Sequence, residues 1–470
     1  MTDLLLVLAV VAFLAIGTLA PFVLSLGYVW VDMFLPHLIS DALLRDVPVA
    51  LIMAIAAIGS YLVLDRNAPP RPSLLLLLYF ILAAWITLTT SWAVAPVQAW
   101  LKWDPSIKTL LFAAFLPFVF RTRVHIEAFC LTILFASAAH ILPWGLKVMI
   151  SGGGYGLSLG QLSSNQSFLS ESSAIAAICF SFLPFVFLFA RENVLLPKSR
   201  FVPIGFYAMA AIYGLGAMGT FARVAIVGSV TLFAGLWVQA KRKIWFTAIA
   251  GLAIVAVLSL SANSQWTDRI STTQDYTTEN SAATRIAVWR WTWNFAQENP
   301  FGGGFNSFYV NRIEVPSGDP LNPQIQFARA FHNIYFAVLG EHGYLGLLIY
   351  GAILALSLHS LGRTRKLLKD HPEHGWASNM ASAARLSLIV FLTCANFIDV
   401  SFNPVLWDLL GLTLCLQEYR RRALATSGTV MRQTETQPRR PMPVPMPVPV
   451  AARLSPSSAL ARPPTLSRPA

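Results

Sequence analysis

Against an otherwise apolar chain, three residues stand out because they can handle charge and protons. His332 and Asn333 open the stretch "FHNIYFAVLGEHGYLG" (331–346), where a polar segment gives way to a long apolar run. An imidazole there, with an unperturbed pKa of about 6.5, can take a proton from a hydroxyl group. Arg223 interrupts the apolar run "MGTFARVAIVGSVTLFAGLWVQAKRK", at a cost of about 2.5–3.5 kcal/mol if it sat at mid-membrane. Lys241 follows 18 residues later. That is about 27 Å of helix at 1.5 Å per residue, so the two cations belong at opposite faces of a bilayer. Arg285 lies in "SAATRIAVWRWTWNFAQENPFGGGF", with Trp289 and Trp293 following at i+4 and i+8 on one helix face. The plain role for that face is to float its tryptophans at headgroup level, as snorkelling is the plain role for Arg223. The chemical role aims both guanidinium groups at an anion. A pair of arginines suits a pyrophosphate, which needs several charge-assisted hydrogen bonds in fixed geometry. A base beside it suits a hydroxyl nucleophile. Arg329 and Asn333 stand close enough to His332 in sequence to be auxiliary candidates.

The elements that must position these residues are membrane helices. The chain has 470 residues, of which only 12% are charged, about half the usual fraction. Its mean hydropathy is +0.59. The hydrophobic pattern predicts an all-α, polytopic membrane protein with about twelve spans, near 3–22, 47–64, 73–92, 106–120, 125–143, 171–190, 202–218, 220–239, 244–261, 332–358, 382–399 and 402–418. The N-terminus lacks a basic region and reads as a first span rather than a cleaved signal. With this count, the clusters at Arg66/Arg71, Arg121/Arg123, Arg191–Arg200, Lys241–Lys243, Arg363–Lys369 and Arg420–Arg422 all fall on one side. The positive-inside rule makes that side the cytoplasm and puts both termini there. The net charge of +12 is thereby assigned to topology and not to nucleic acid.

The organisation that follows is 1–261 as spans one to nine, 262–331 as one large outer loop with a short amphipathic helix, 332–420 as spans ten to twelve, and 421–470 as a Pro/Arg-rich tail. The tail should be disordered, with polyproline II character, its arginines near anionic headgroups. Two smaller outer segments are 31–46 and 144–170. Within the large loop, Ser281 to Glu298 reads as a helix stopped by Asn299-Pro300. The triple glycine 302–304 reads either as an anion-binding nest or as a flexible turn. In an unbroken helix led by His332, Gly343 and Gly346 would fall on its face and let a neighbouring helix pack closely. The cysteines Cys130, Cys179, Cys394 and Cys415 all lie in apolar runs without metal-ligand spacing and read as small buried hydrophobes.

His332-Asn333, nine residues, then Gly343-Tyr344-Leu345-Gly346 resembles the signature of bacterial O-antigen ligases and polymerases. The large preceding loop, its Arg-led segment ending in Pro and a Gly turn, and Arg223 near the outer end of a helix are similar to that family too. The specific likeness covers roughly 200–420; earlier residues share only the hydrophobic pattern and the polar stretch "GQLSSNQSFLSESSA". The resemblance implies a GT-C-like, metal-independent glycosyltransferase of the inner membrane with its site facing the periplasm and no cofactor. It implies an undecaprenyl-pyrophosphate oligosaccharide donor and a glycan, lipid A-core or protein acceptor. His332 would be the catalytic base, and Arg223 and Arg285 the diphosphate ligands. One departure is that the family's Arg-x3-Leu becomes Arg285-x3-Trp289, which leaves Arg290 or Arg329 able to share the role. Two other readings stand beside this one. A non-enzymatic transporter or flippase would place charges deep in several spans. A transferase working through an acid would draw on Asp32, Asp41 or Asp46 in the first outer segment.

Overall fold

The computed structural model describes residues 2–65, 68–151, 171–220, 222–244, 247–248, 251, 278–315 and 324–436. Within unit Met1–Leu424 the chain is a helical bundle. Its helices are α1 (Thr2–Leu19), α2 (Phe22–Phe34), α3 (Pro36–Ile39), α4 (Val49–Val63), α5 (Leu74–Ser91), α6 (Pro96–Val119), α7 (Arg123–Ser151), α8 (Ser172–Phe189), α9 (Phe201–Met218), α10 (Arg223–Gln239), α11 (Thr278–Glu298), α12 (Ile334–Leu368), α13 (Gly375–Cys394) and α14 (Pro404–Thr436). Among the described residues, seven helices are long and apolar enough to cross a membrane: α1, α5, α7, α8, α9, α12 and α13. The protein is a multi-pass membrane protein. Predicted span nine, 244–261, and the loop start 262–277 lie almost wholly outside the described residues.

Five of the six basic clusters, all but Lys241–Lys243, meet at one end of the bundle through described contacts. Arg421 donates to the carbonyl of Arg71 at 3.1 Å. Arg121 pairs with Asp65 at 3.8 Å. Glu127, bound to Arg123, accepts the amide of Val194 at 2.7 Å.

The first hairpin departs from the sequence-based topology. Segment 31–46 is not simply a loop, because α2 runs through Phe34. At 13 residues it is too short to register as a span by hydropathy. Phe22 at its start stacks on His125 at the basic end (centroids 4.2 Å apart), whereas Phe34 at its finish stands 4.8 Å from His140 near the far end of α7. The extra helix turns α1 over. The carboxylate of Asp3 accepts the amides of Asp41, Ala42 and Leu43 at 2.9–3.0 Å. Residue 3 therefore lies at the end opposite the basic clusters, not with them. Asp32 sits inside α2, whereas Asp41, whose backbone amide donates to Asp3, and Asp46 are exposed in the turn after α3.

Three smaller differences concern length. α7 continues through Ser151 into the predicted segment 144–170. α11 ends at Glu298 as the Asn-Pro stop requires, but begins at Thr278, ahead of Ser281. The predicted tail from 421 is helical to Thr436; 437–470 lie outside the described residues. The large loop also holds an unpredicted antiparallel hairpin, β1 (Arg312–Val315) with β2 (Gln324–Phe327), so among the described residues the fold is all-α but for this ribbon. The four cysteines are free and buried.

Single-cysteine labelling with a membrane-impermeant maleimide checks the inverted hairpin. Asp41→Cys and Arg290→Cys should label from one side and Lys366→Cys from the other. Labelling of Asp41→Cys together with Lys366→Cys would contradict it.

Candidate functional site

The outer end of the bundle is organised by a break in α12. Gly343 has φ +68° and ψ −168°, which is not helical. In an unbroken helix the amide of Tyr344 would bond Gly340. Here it donates to the carbonyl of Pro300 at 3.0 Å, and Gly340 instead accepts the amide of Gly303 at 3.0 Å. Glu341's carbonyl accepts from Gly304 at 2.8 Å, and His342's from the indole of Trp85 at 2.9 Å. The amide of Tyr344 and the carbonyls of Gly340, Glu341 and His342 are thus taken up by the loop after α11 or by α5. The glycine run is neither an anion nest nor a free turn. Gly302 donates to Asn299, so all three of its amides are already spent on protein carbonyls. Gly302 (φ +85°) and Gly343 face each other so closely that a Cβ on either would strike the other strand's backbone. Gly343 therefore admits a loop rather than a helix, whereas Gly346 does pack against a helix side chain, Trp85 of α5.

His332 does not lead the helix. Its φ is +49°, a left-handed backbone that a residue with a Cβ adopts only when its surroundings hold it there. They do so from three sides. Asn333 is the N-cap: its Oδ1 accepts the amides of Tyr335 and Phe336 at 2.8 and 3.2 Å. Its Nδ2 donates to Asn396 at 3.1 Å, and Ile334 donates to Ala395 at 3.1 Å. The indole of Trp289 donates to the carbonyl of Phe331 at 2.9 Å and stacks on Phe336. Asn333 is accordingly a structural cap. Trp289, where the family-like pattern has Leu, is a clamp that fastens α11 beside His332; its partner Trp293 stays half exposed.

Around the imidazole lie charges from four other elements. His332 feels Glu171 at the start of α8, Arg285 of α11, Asp399 after α13, and Arg329. Arg285 in turn feels Arg223, the first residue of α10, and Glu171. The structure thus brings His332, Arg285 and Arg223 to one rim, with Arg329 beside them. Arg290 projects into solvent from another face of α11 and has no described link to the group. Half-burial, reinforced by Arg285 and Arg329, holds the His332 pKa below its ordinary 6.5. Burial and then the like charge of Arg223 lower that of Arg285. Two cations from separate helices that repel one another favour an incoming anion.

Sequence reasoning missed Glu171, although the quoted polar stretch contains it. It also missed a second charged cluster under the site. Lys102 of α6 reaches Glu341 at 2.7 Å and Asp399 at 3.5 Å, with Glu341 fully buried and Lys102 22% exposed. Glu341 also accepts the amide of Asn306 at 2.9 Å. The adjacent His342 meets Thr89 through Nδ1 at 2.8 Å. No local signal marks Lys102, whose partners lie hundreds of residues away in the chain.

A multi-pass helical bundle with a docked outer cap, and a histidine–arginine rim between them, defines the class. Residues 208–351 match the family model described as O-antigen ligase, and residues 1–194 match one described as a family of unknown function. No curated protein matches the chain. Residues 208–351 are thus similar to the O-antigen ligase family, a likeness that supports a membrane glycan ligase- or polymerase-like function.

Two substitutions test this architecture. Gly343→Ala should cost on the order of 2–4 kcal/mol, from left-handed backbone plus overpacking, read as a lower melting temperature. Lys102→Met strands the Glu341 carboxylate and should cost about 3–5 kcal/mol, while Lys102→Met combined with Glu341→Gln should recover much of that.

Proposed function

We propose that the protein transfers an oligosaccharide from a lipid-linked pyrophosphate donor, of the undecaprenyl type, to an acceptor hydroxyl at the outer face of the inner membrane. The observation that carries this reading is the gathering of a half-buried imidazole with two mutually repelling arginines, drawn from three separate elements, at one rim. The oxygen of the acceptor attacks the anomeric carbon of the donor's first sugar. The bond from that carbon to the phosphate oxygen breaks, and its electron pair leaves with the pyrophosphate. The acceptor's proton passes to a ring nitrogen of His332. Arg223 and Arg285 neutralise the charge that develops on the leaving group. Direct displacement inverts the anomeric centre. The role of His332 as base needs a neutral imidazole, and its lowered pKa keeps it neutral at neutral pH.

A bare transporter needs no such rim. Among the acceptors, we favour a growing polysaccharide or a lipid-linked core over a protein hydroxyl. Deleting the gene and analysing the cell's glycans separates them. Single repeat units in place of long chains mean polymerase. Free lipid-linked polymer with uncapped core means ligase, and unglycosylated protein means a protein transferase. Unchanged glycans would contradict the whole reading.

His332→Ala should lower turnover roughly 10²–10⁴-fold in the purified, reconstituted protein, and EDTA should leave wild-type turnover unchanged. The pH profile carries a sign. Because His332 titrates below its usual range, turnover should persist at pH 6.5 and fall only as pH drops further. Removing the Arg285 charge (Arg285→Gln) should move that inflection up, and removing the Glu171 charge (Glu171→Gln) should move it down. An inflection that neither variant moves would exclude His332 as the titrating base.

A further inference from the structure

At the opposite, basic end of the bundle, α5, α12 and α14 enclose a cleft of about 320 Å³, within the size range of small-ligand sites, roughly 300–1,000 Å³. Arg363, Arg420 and Arg421 line it together with His359, and among the described residues no carboxylate does. Arg420 is almost buried, held by the carbonyl of Ser360 at 2.9 Å and the hydroxyl of Thr364 at 2.7 Å. Arg363 and Arg421 both press their charge on it. The nearest described acid, Glu418, is 3.9 Å from Arg421 but pairs more closely with Arg422, at 2.9 Å. Three guanidinium groups are therefore crowded around a void without matching negative charge, an arrangement that costs free energy until an anion enters.

The remaining lining identifies the kind of anion. Leu74, 62% exposed, and Leu356 line the same cleft, so it offers apolar surface beside its cations. That pairing fits an amphiphile lying with its headgroup at the membrane surface and its chain along the bundle. Basic pockets between membrane helices at this level are suited to phosphate headgroups. We propose that this cleft binds the phosphate headgroup of an anionic membrane lipid, with Arg363, Arg420 and Arg421 as its ligands and Leu74 and Leu356 against its acyl chain. The site stands apart from the His332 rim and does not depend on the transfer reaction.

The test uses the delipidated full-length chain in mild detergent. Phosphatidylglycerol, phosphatidylcholine and inorganic phosphate are added in separate arms, and bound ligand is counted by native mass spectrometry. One phosphatidylglycerol should be retained per chain under conditions that strip phosphatidylcholine. The double variant Arg363→Gln/Arg421→Gln should weaken its retention tenfold or more. Both positions are partly or well exposed, so this variant should fold; a thermal melt confirms that it does. Arg420→Gln also breaks the contacts to Ser360 and Thr364 and is the weaker probe. Equal retention of the two lipids would overturn the proposal. So would undiminished phosphatidylglycerol binding by the folded double variant, or inorganic phosphate binding as tightly as the lipid.

Discussion

The architecture of the outer face depends on one backbone exchange, between the break in α12 at Gly343 and the loop that follows α11. A helix interrupted inside an apolar bundle leaves amides and carbonyls that water cannot reach, and each such group left unpaired would cost on the order of 1–3 kcal/mol. Here the cap supplies the missing partners: Pro300 accepts from Tyr344, and Gly303 and Gly304 donate to Gly340 and Glu341. The same loop is tied to α5 and α6 through Val94, Trp92 and Gln98. Cap and bundle cannot separate without exposing these groups. The position of α11, and with it Arg285, is fixed relative to His332 by the same bonds and by the Trp289 clamp.

Beneath that exchange, the Lys102–Glu341–Asp399 cluster has a different character. A buried ion pair is weak evidence of stability, since desolvation offsets most of the attraction. Its effect is to specify geometry. Glu341 sits next to the break, Asn306 on the docked loop, and Asp399 on the segment whose Ala395 and Asn396 carbonyls hold the cap of α12. One lysine thus links α12 to the segment after α13 and, through Glu341, to the docked loop. The left-handed backbone at His332 is maintained by neighbours of this kind, and not by its own preference.

Much of this was legible in the sequence. His332, Arg223 and Arg285 could be singled out because a titratable or charged group is costly in an apolar context, and the cost marks it. The basic clusters could be assigned to one end because their spacing matches helix-length intervals. Three features could not be read. α2 is too short for a hydropathy window, and missing it inverted α1. The helical periodicity from His332 through Gly346 conceals the break at Gly343, because the residues that complete it, Pro300 to Gly304, are about forty positions earlier. Asn333 reads as part of a polar site, yet its side chain is consumed by capping, a role that only the start of α12 at Ile334 reveals. Glu171 and Lys102 carry no local pattern; their meaning lies in which distant elements they meet.

The central claim is spatial: Arg223, Arg285 and His332 occupy one rim. Pairwise cross-linking measures this directly. The native cysteines are buried, so Arg285→Cys paired with His332→Cys, and Arg285→Cys paired with Arg223→Cys, can be probed with a short bis-maleimide in the membrane-embedded protein. Efficient intramolecular cross-linking of both pairs is the predicted result. Failure of both, in protein whose single-cysteine variants label freely, would contradict the account.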